Sequence, residues 1–211
     1  MRTKFLNVYS NDSKSPHRSI TMSDIQEMKE RLARILYEKS YMEGDFTLSS
    51  GRKSDYYFDC RQSSLHPEGA WLIGSLFFDM LRGMDIRAVA GMTMGADPLV
   101  TATSLRAYEH DMHLPALIVR KEVKAHGASR AVEGLVNVQK GDRVLMLEDV
   151  VTTGGSVIKA CRRIEEAGLS VVSVFCILNR EEPGWADAFT EAGLELRSIF
   201  TRTELVSLAR G

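Results

Sequence analysis

With 211 residues, 44% of them hydrophobic and 26% charged, the chain is long enough for one sizeable core and has the make-up of an ordinary globular domain. Lys plus Arg at 27 against Asp plus Glu at 28 gives a formal charge of −1, so charge makes no case for a nucleic acid or a membrane surface as partner. The longest unbroken apolar run, Val174 to Leu178, is far too short to span a bilayer, and no secretory leader is legible, which makes the cytoplasm the expected compartment.

Residues 1–22 are polar, contain Pro16 and show no sustained period, so they read as a flexible N-terminal extension. One domain is expected over 23–211, without internal repeat or linker. A helix starts near Ser23, a candidate cap with Gln26 three residues on, and Ile25, Met28, Leu32, Ile35 and Leu36 form its apolar stripe. Residues 46–59 read as two short extended segments around a Ser-Gly turn, an aromatic hairpin with Arg52 and Lys53 at its tip. Composition by itself also fits a solvated hairpin edge.

Pro67 and Glu68 open a helix whose Leu72, Leu76, Phe77, Met80 and Leu81 face inward, and Gly83 ends it. Ile86 to Ala90 is a short strand running into Gly91–Pro98, a small-residue turn before a helix that reaches about Tyr108. Ala116 to Val119 is the next strand. After it the pattern breaks into a polar, aperiodic stretch to Gly134 carrying Arg120, Lys121, Lys124, His126 and Arg130. A connection of that length inside a compact domain is functional or disordered, and its cations suit either a polyanion or plain solvation.

The stretch with most chemistry is 143–161. Val144 to Leu147 is wholly apolar, the habit of a strand buried on both faces of a parallel sheet, and it ends on the adjacent acids Glu148 and Asp149. Thr152, Thr153, Gly154, Gly155 and Ser156 follow, then Val157, Ile158, Cys161 and Ile164 at helical spacing. A helix entered through glycines presents free N–H groups and the positive end of its dipole to an anion, typically phosphate. The turn is neither a Walker loop nor Gly-x-Gly-x-x-Gly. Two carboxylates beside a phosphate repel it unless they face sugar hydroxyls or a divalent metal, so the suggested ligand is a sugar phosphate.

Val171 to Leu178 is a buried strand finishing on Asn179–Glu182, which puts Arg180 at its carboxyl end. That guanidinium either faces the same crevice as Glu148 or pairs with Glu181 or Glu182. A helix over 182–192, an edge strand over Leu194–Phe200 and a last helical turn over Glu204–Arg210 complete the chain. Cys161 and Cys176 read as core packing, while Cys60 stays open. Strands alternating with helices imply a Rossmann-like parallel sheet flanked by helices, with residues 66–211 as core and 23–65 as a small hood.

The segment Glu148-Asp149-Val150-Val151-Thr152-Thr153-Gly154-Gly155-Ser156 resembles the phosphoribosyl-pyrophosphate (PRPP) loop of type I phosphoribosyltransferases. Phe46–Asp59 resembles the hood signature of the orotate phosphoribosyltransferases, Gly91–Pro98 their pyrophosphate turn, and Lys121-x-x-Lys124-x-His126-Gly127 their catalytic lid. The resemblance implies transfer of a phosphoribosyl group from PRPP to orotate, giving orotidine monophosphate and pyrophosphate.

It carries PRPP onto Arg120, Lys121, Lys124, His126 and residues 148–156, with Lys121, Lys124, His126 and Asp149 as the catalytic set. Orotate falls on Thr152, Arg180, Tyr57 and Phe58. Mg2+ is implied as cofactor, held mainly by PRPP near Asp149 with no direct protein ligand assigned, and a homodimer with shared active sites is implied as the assembly.

Three positions depart from the family pattern. Ser49 stands where many members have Lys, with Lys53 four residues on, Gly95 replaces a Lys of some relatives, and Glu148 replaces the commoner Asp. The rival readings are a purine-base phosphoribosyltransferase and a PRPP-sensing regulator that grips nucleic acid. The charge balance tells against the regulator, and Arg180 with the aromatic hairpin against the purine enzyme.

Overall fold

Strand β6 (Arg143–Val151) is the centre of the protein, and its first half explains why: Val144, Leu145, Met146 and Leu147 are all buried. A strand apolar on both faces has to be covered on both. The computed structural model describes residues 21–47, 53–121 and 131–210. Around β6 lies a six-stranded sheet in the order β5-β4-β3-β6-β7-β8, formed by β3 (Ala88–Met92), β4 (Ala116–Val119), β5 (Val132–Glu133), β7 (Ser170–Asn179) and β8 (Leu196–Thr201).

Side-chain alternation divides the core between the two faces. Leu145 and Leu147 pack with α1 (Met22–Ser40), α3 (Pro67–Leu81), α4 (Asp97–Glu109) and α7 (Arg202–Arg210); Val144 and Met146 pack with α5 (Gly155–Glu166) and α6 (Trp185–Glu191). Helices α3 and α4 lie so close that a Cβ on Gly74 would sit 2.8 Å from the Ala102 backbone. The parallel, Rossmann-like layering expected from the sequence is present. One strand departs from it: β5 pairs antiparallel with β4, through Ile118–Glu133 and Val119–Val132. Two residues leave too little pattern to read, and β5 falls inside the stretch expected to be aperiodic.

The hood forms as an antiparallel pair, β1 (Tyr41–Thr47) and β2 (Lys53–Phe58), with a bulge between Glu43 and Phe46. Its β2 strand is no solvated edge, since Tyr56 and Phe58 are buried in the same core as α1, whereas residues 42–45 of β1 are exposed. Tyr41 packs across the pair against Phe58, tilted at 5.1 Å between centroids, and stacks on Tyr37 of α1 at the same distance. The Ser-Gly turn, with Ser49 and Arg52, lies outside the described residues, as do residues 1–20 of the expected extension.

Several boundaries differ from the sequence expectation. The cap of α1 is Thr21, whose hydroxyl accepts from the Asp24 backbone while the Asp24 carboxylate accepts from the Thr21 N–H; Ser23 lies inside the helix. Strand β6 continues through Glu148 and Asp149 to Val151, because its pairing with β7 runs on to Val151–Asn179. A short helix α2 (Arg61–Ser64) follows the hood where none was read. Its signal is four polar residues without an apolar stripe, and tertiary contacts hold it: Ser63 is hydrogen-bonded to Ser40 at 2.6 Å and donates to the Ile35 carbonyl.

Candidate active site at the sheet switch point

The chain reaches β3 first, adds β4 on one side, then returns to add β6, β7 and β8 on the other. Adjacent strands β3 and β6 therefore send their following turns to opposite sides, and a crevice opens at their carboxyl ends. A pocket of about 740 Å³ occupies that place, walled by the β3 turn, the end of β6, the start of α5, the hood and the end of β7.

Helix α5 meets the pocket with its N-terminus. Gly154 is the N-cap in the left-handed region at φ 84°, and a Cβ there would lie 2.5 Å from the Phe189 ring, so both backbone and space demand glycine. The first N–H groups of the helix lack intrahelical acceptors and point to the pocket side. Thr152 and Ser156 line the pocket; Gly155 and Thr153 are exposed beside it.

Glu148 and Asp149 stand at the pocket floor. Glu148 is only 7% exposed, and burial, with the adjacent Asp149 charge, holds its carboxyl well above the usual carboxylate range. Asp149 is more open, and its Oδ1 accepts from the Val150 N–H at 2.7 Å. Gly95 approaches it so closely that a Cβ at that position would begin 2.7 Å from Asp149 Oδ2. A side chain in that place would make the Asp149 carboxylate shift.

Arg180 leaves β7 with its backbone N–H bonded to the Val151 carbonyl, and the turn beyond is tied by Asn179 Oδ1 accepting from the Glu181 N–H. Its guanidinium is buried, donates to Tyr56 Oη at 3.1 Å and pairs with Glu182 at 3.3 Å. Both sequence alternatives thus hold together: Arg180 faces the crevice and also has a carboxylate partner, Glu182 instead of Glu181. Tyr57 and Phe58 join the pocket wall from the hood.

Lys121 lines the pocket, whereas Arg120 does not; its guanidinium pairs with Glu133 across the β4–β5 edge, Nε donating at 2.7 Å. Lys124 and His126 lie outside the described residues. Among the described residues no group of three or more His, Cys, Asp or Glu side chains is arranged to hold a metal ion, and no helix is long and apolar enough to cross a membrane.

Cys60, Cys161 and Cys176 are buried free thiols. Burial pushes Cys60 and Cys176 well above their usual range and Cys161 up to about 12, so none is a nucleophile near neutral pH. Of the charged residues that line the pocket, the sequence placed Asp59 only as the end of the hood signature and gave Arg61 no place, because it belongs to α2.

An open, mostly parallel sheet whose switch-point crevice receives a glycine-entered helix beside an acidic strand end defines an α/β protein built for a phosphorylated ligand. Residues 63–191 match the phosphoribosyl transferase domain. The chain is 42% identical over 183 residues to the orotate phosphoribosyltransferase of Nostoc sp., covering 87% of each, and 45% identical over 179 residues to that of Sorangium cellulosum, covering 84% of this chain and 93% of the relative. The crystal structure of Mycobacterium tuberculosis orotate phosphoribosyltransferase with Fe(III) dicitrate superposes with a TM-score of 0.71 at 36% identity, over 84% of this chain and 98% of that one. The chain belongs to the phosphoribosyltransferase family, in its orotate phosphoribosyltransferase branch.

Proposed function

We propose that the protein transfers the 5-phosphoribosyl group of PRPP to orotate, forming orotidine 5′-monophosphate and pyrophosphate in pyrimidine biosynthesis. The observation that carries this reading is the meeting of three features in one pocket: the α5 N-terminus, the acidic end of β6, and a buried arginine framed by hood aromatics.

In the reaction the bond from the anomeric carbon to the pyrophosphate oxygen breaks and a bond to the base nitrogen forms. The ribose passes through an oxocarbenium-like state while negative charge collects on the leaving group, so the protein's part is positioning and charge stabilisation. The free N–H groups at the start of α5, with Thr152, Thr153 and Ser156, hold the 5′-phosphate. Glu148 and Asp149 accept from the ribose hydroxyls. Arg180, a planar donor fork, takes the orotate carboxylate; Thr152, Tyr57 and Phe58 complete the base site.

Lys121, Lys124 and His126 meet the charge that gathers on pyrophosphate, and Arg120 would join them after leaving Glu133. Mg2+ would be held mainly by PRPP, with Asp149 the carboxylate beside it; when bound, the ion would supply positive charge to the pyrophosphate. The functional unit is a two-fold dimer in which each lid serves the neighbour's site. Three unpaired buried cysteines suit the reducing cytoplasm.

The test is turnover of orotate with PRPP, followed by orotidine monophosphate formation and pyrophosphate release, against hypoxanthine, adenine and uracil at equal concentration. Orotate should be preferred by at least two orders of magnitude, because a site built around a buried guanidinium rejects bases that lack the carboxylate. Equal use of a purine base would overturn the assignment.

A further inference from the structure

Helix α2 brings into the pocket a cation that the resemblance does not assign. Asp59, directly after the hood strand, accepts from Arg61 at three points: the backbone N–H at 3.2 Å, Nε at 2.7 Å and Nη2 at 3.0 Å. Gln62 adds a fourth bond to the same carboxylate at 3.2 Å. The Asp59 side chain is 13% exposed against 42% for Arg61, so the acid is the sheltered anchor and the guanidinium reaches outward.

The base is rigid as well. Asp59 N–H donates to the Ser40 carbonyl at 2.9 Å, Cys60 is fully buried, and Ser63 is bonded to Ser40. Among the described residues Arg61 Nη1 has no hydrogen-bond partner, and Arg61 lines the pocket. A planar donor fork clamped along one edge and open along the other is prepared for an oxyanion.

The position of Arg61 says which anion. The 5′-phosphate belongs with the α5 N-terminus and the orotate carboxylate with Arg180, so the remaining charged group of the substrates is the pyrophosphate of PRPP. It falls toward Thr93, Gly95, Lys121 and Asp149, the part of the pocket where the β3 turn has no cation to give, since Gly95 stands against Asp149 without a side chain. Arg61 shares that part: after Asp59, the carboxylate near enough to favour its charge is that of Asp149.

Resting on the proposed transfer reaction, we infer that Arg61 is a substrate-binding residue for the pyrophosphate of PRPP and that Asp59 is its positioning residue. The pair supplies a fixed guanidinium where the β3 turn carries none, and it does so before any substrate arrives.

Steady-state kinetics with both substrates, and inhibition by inorganic pyrophosphate against PRPP, test this on wild type, Arg61→Gln, Arg61→Lys and Asp59→Asn. Arg61→Gln should raise KM for PRPP and the inhibition constant of pyrophosphate together, by about tenfold or more, with KM for orotate changed less than about twofold. Arg61→Lys should recover part of the loss, as a point charge without the fork, and Asp59→Asn should shift the same two constants by a smaller factor. Unchanged pyrophosphate inhibition in Arg61→Gln, or a rise in KM for orotate alone, would overturn the assignment. If Arg61→Gln does not fold, Arg61→Lys and Asp59→Asn decide: constants equal to wild type in both overturn it. Wild type without turnover of orotate and PRPP would instead tell against the proposed function.

Discussion

Arg180 and Tyr56, 124 residues apart, touch in two ways: Nε donates to Tyr56 Oη at 3.1 Å, and the guanidinium carbon lies 4.5 Å from the ring centroid. A second guanidinium, from Arg202 at the start of α7, lies 4.4 Å from the same centroid. The hood is thereby linked to the proposed carboxylate site through one buried ring. Tyr56→Phe keeps the ring and removes the bond, so KM for orotate should rise about three- to tenfold, about 1 kcal/mol, with little change in kcat. Arg180→Ala should cost about 1–3 kcal/mol in kcat/KM for orotate. Orotate kinetics unaffected by Arg180→Ala would remove it from the base site.

Glu148 offers a test by pH. Its carboxyl is raised above the usual range by burial first and by Asp149 second, so the folded, ligand-free protein holds a proton that the unfolded chain releases at lower pH. Stability should then fall as pH rises from the ordinary carboxylate range through the raised pKa. Glu148→Gln deletes the charge and should flatten that fall, raising Tm near neutral pH by roughly 2–4 °C for each kcal/mol recovered, while lowering activity. Parallel Tm-against-pH curves for variant and wild type would contradict a protonated, buried Glu148.

Gly154→Ala meets both a left-handed backbone and the Phe189 ring at 2.5 Å. A destabilisation of about 1–3 kcal/mol and weaker PRPP binding are expected, by thermal melting and by titration. Replacing Phe189 with Leu in the same chain should recover part of the stability, whereas a Gly154→Ala melt identical to wild type would show that the turn tolerates a side chain.

Magnesium should be required, because the substrate brings a polyanion toward the acidic end of β6, beside Asp149. Chelator in excess should abolish turnover and added Mg2+ restore it. Full turnover in chelator would refute the requirement.

The shared-site dimer is open to complementation. Asp149→Ala removes an acid from one subunit's own site, and Lys124→Ala removes a lid cation delivered to the neighbour. In a mixed dimer one site receives both lesions and the other neither, so equal mixtures should recover about a quarter of wild-type activity. A mixture no more active than its parents, despite subunit exchange, would mean that each lid closes on its own subunit.

Local pattern was enough wherever one segment carried its own signal. The unbroken apolar run before Glu148 and Asp149 reads as a strand covered on both faces, and Gly154 before Val157, Ile158 and Cys161 as the entry to a helix; both are found. The apolar stripe of α1 likewise placed Met28, Leu32, Ile35 and Leu36 in the core. What the sequence left open were partnerships across the chain. Nothing local says that Arg180 meets Tyr56, that Arg120 turns aside to Glu133, that Gly95 stands against Asp149, or that four polar residues after Cys60 coil into a helix carrying Arg61 into the pocket. Backbone periodicity is a property of neighbours in sequence, while the direction of a charged side chain is set by whichever distant group desolvates or pairs with it, and that group is chosen only when the sheet closes.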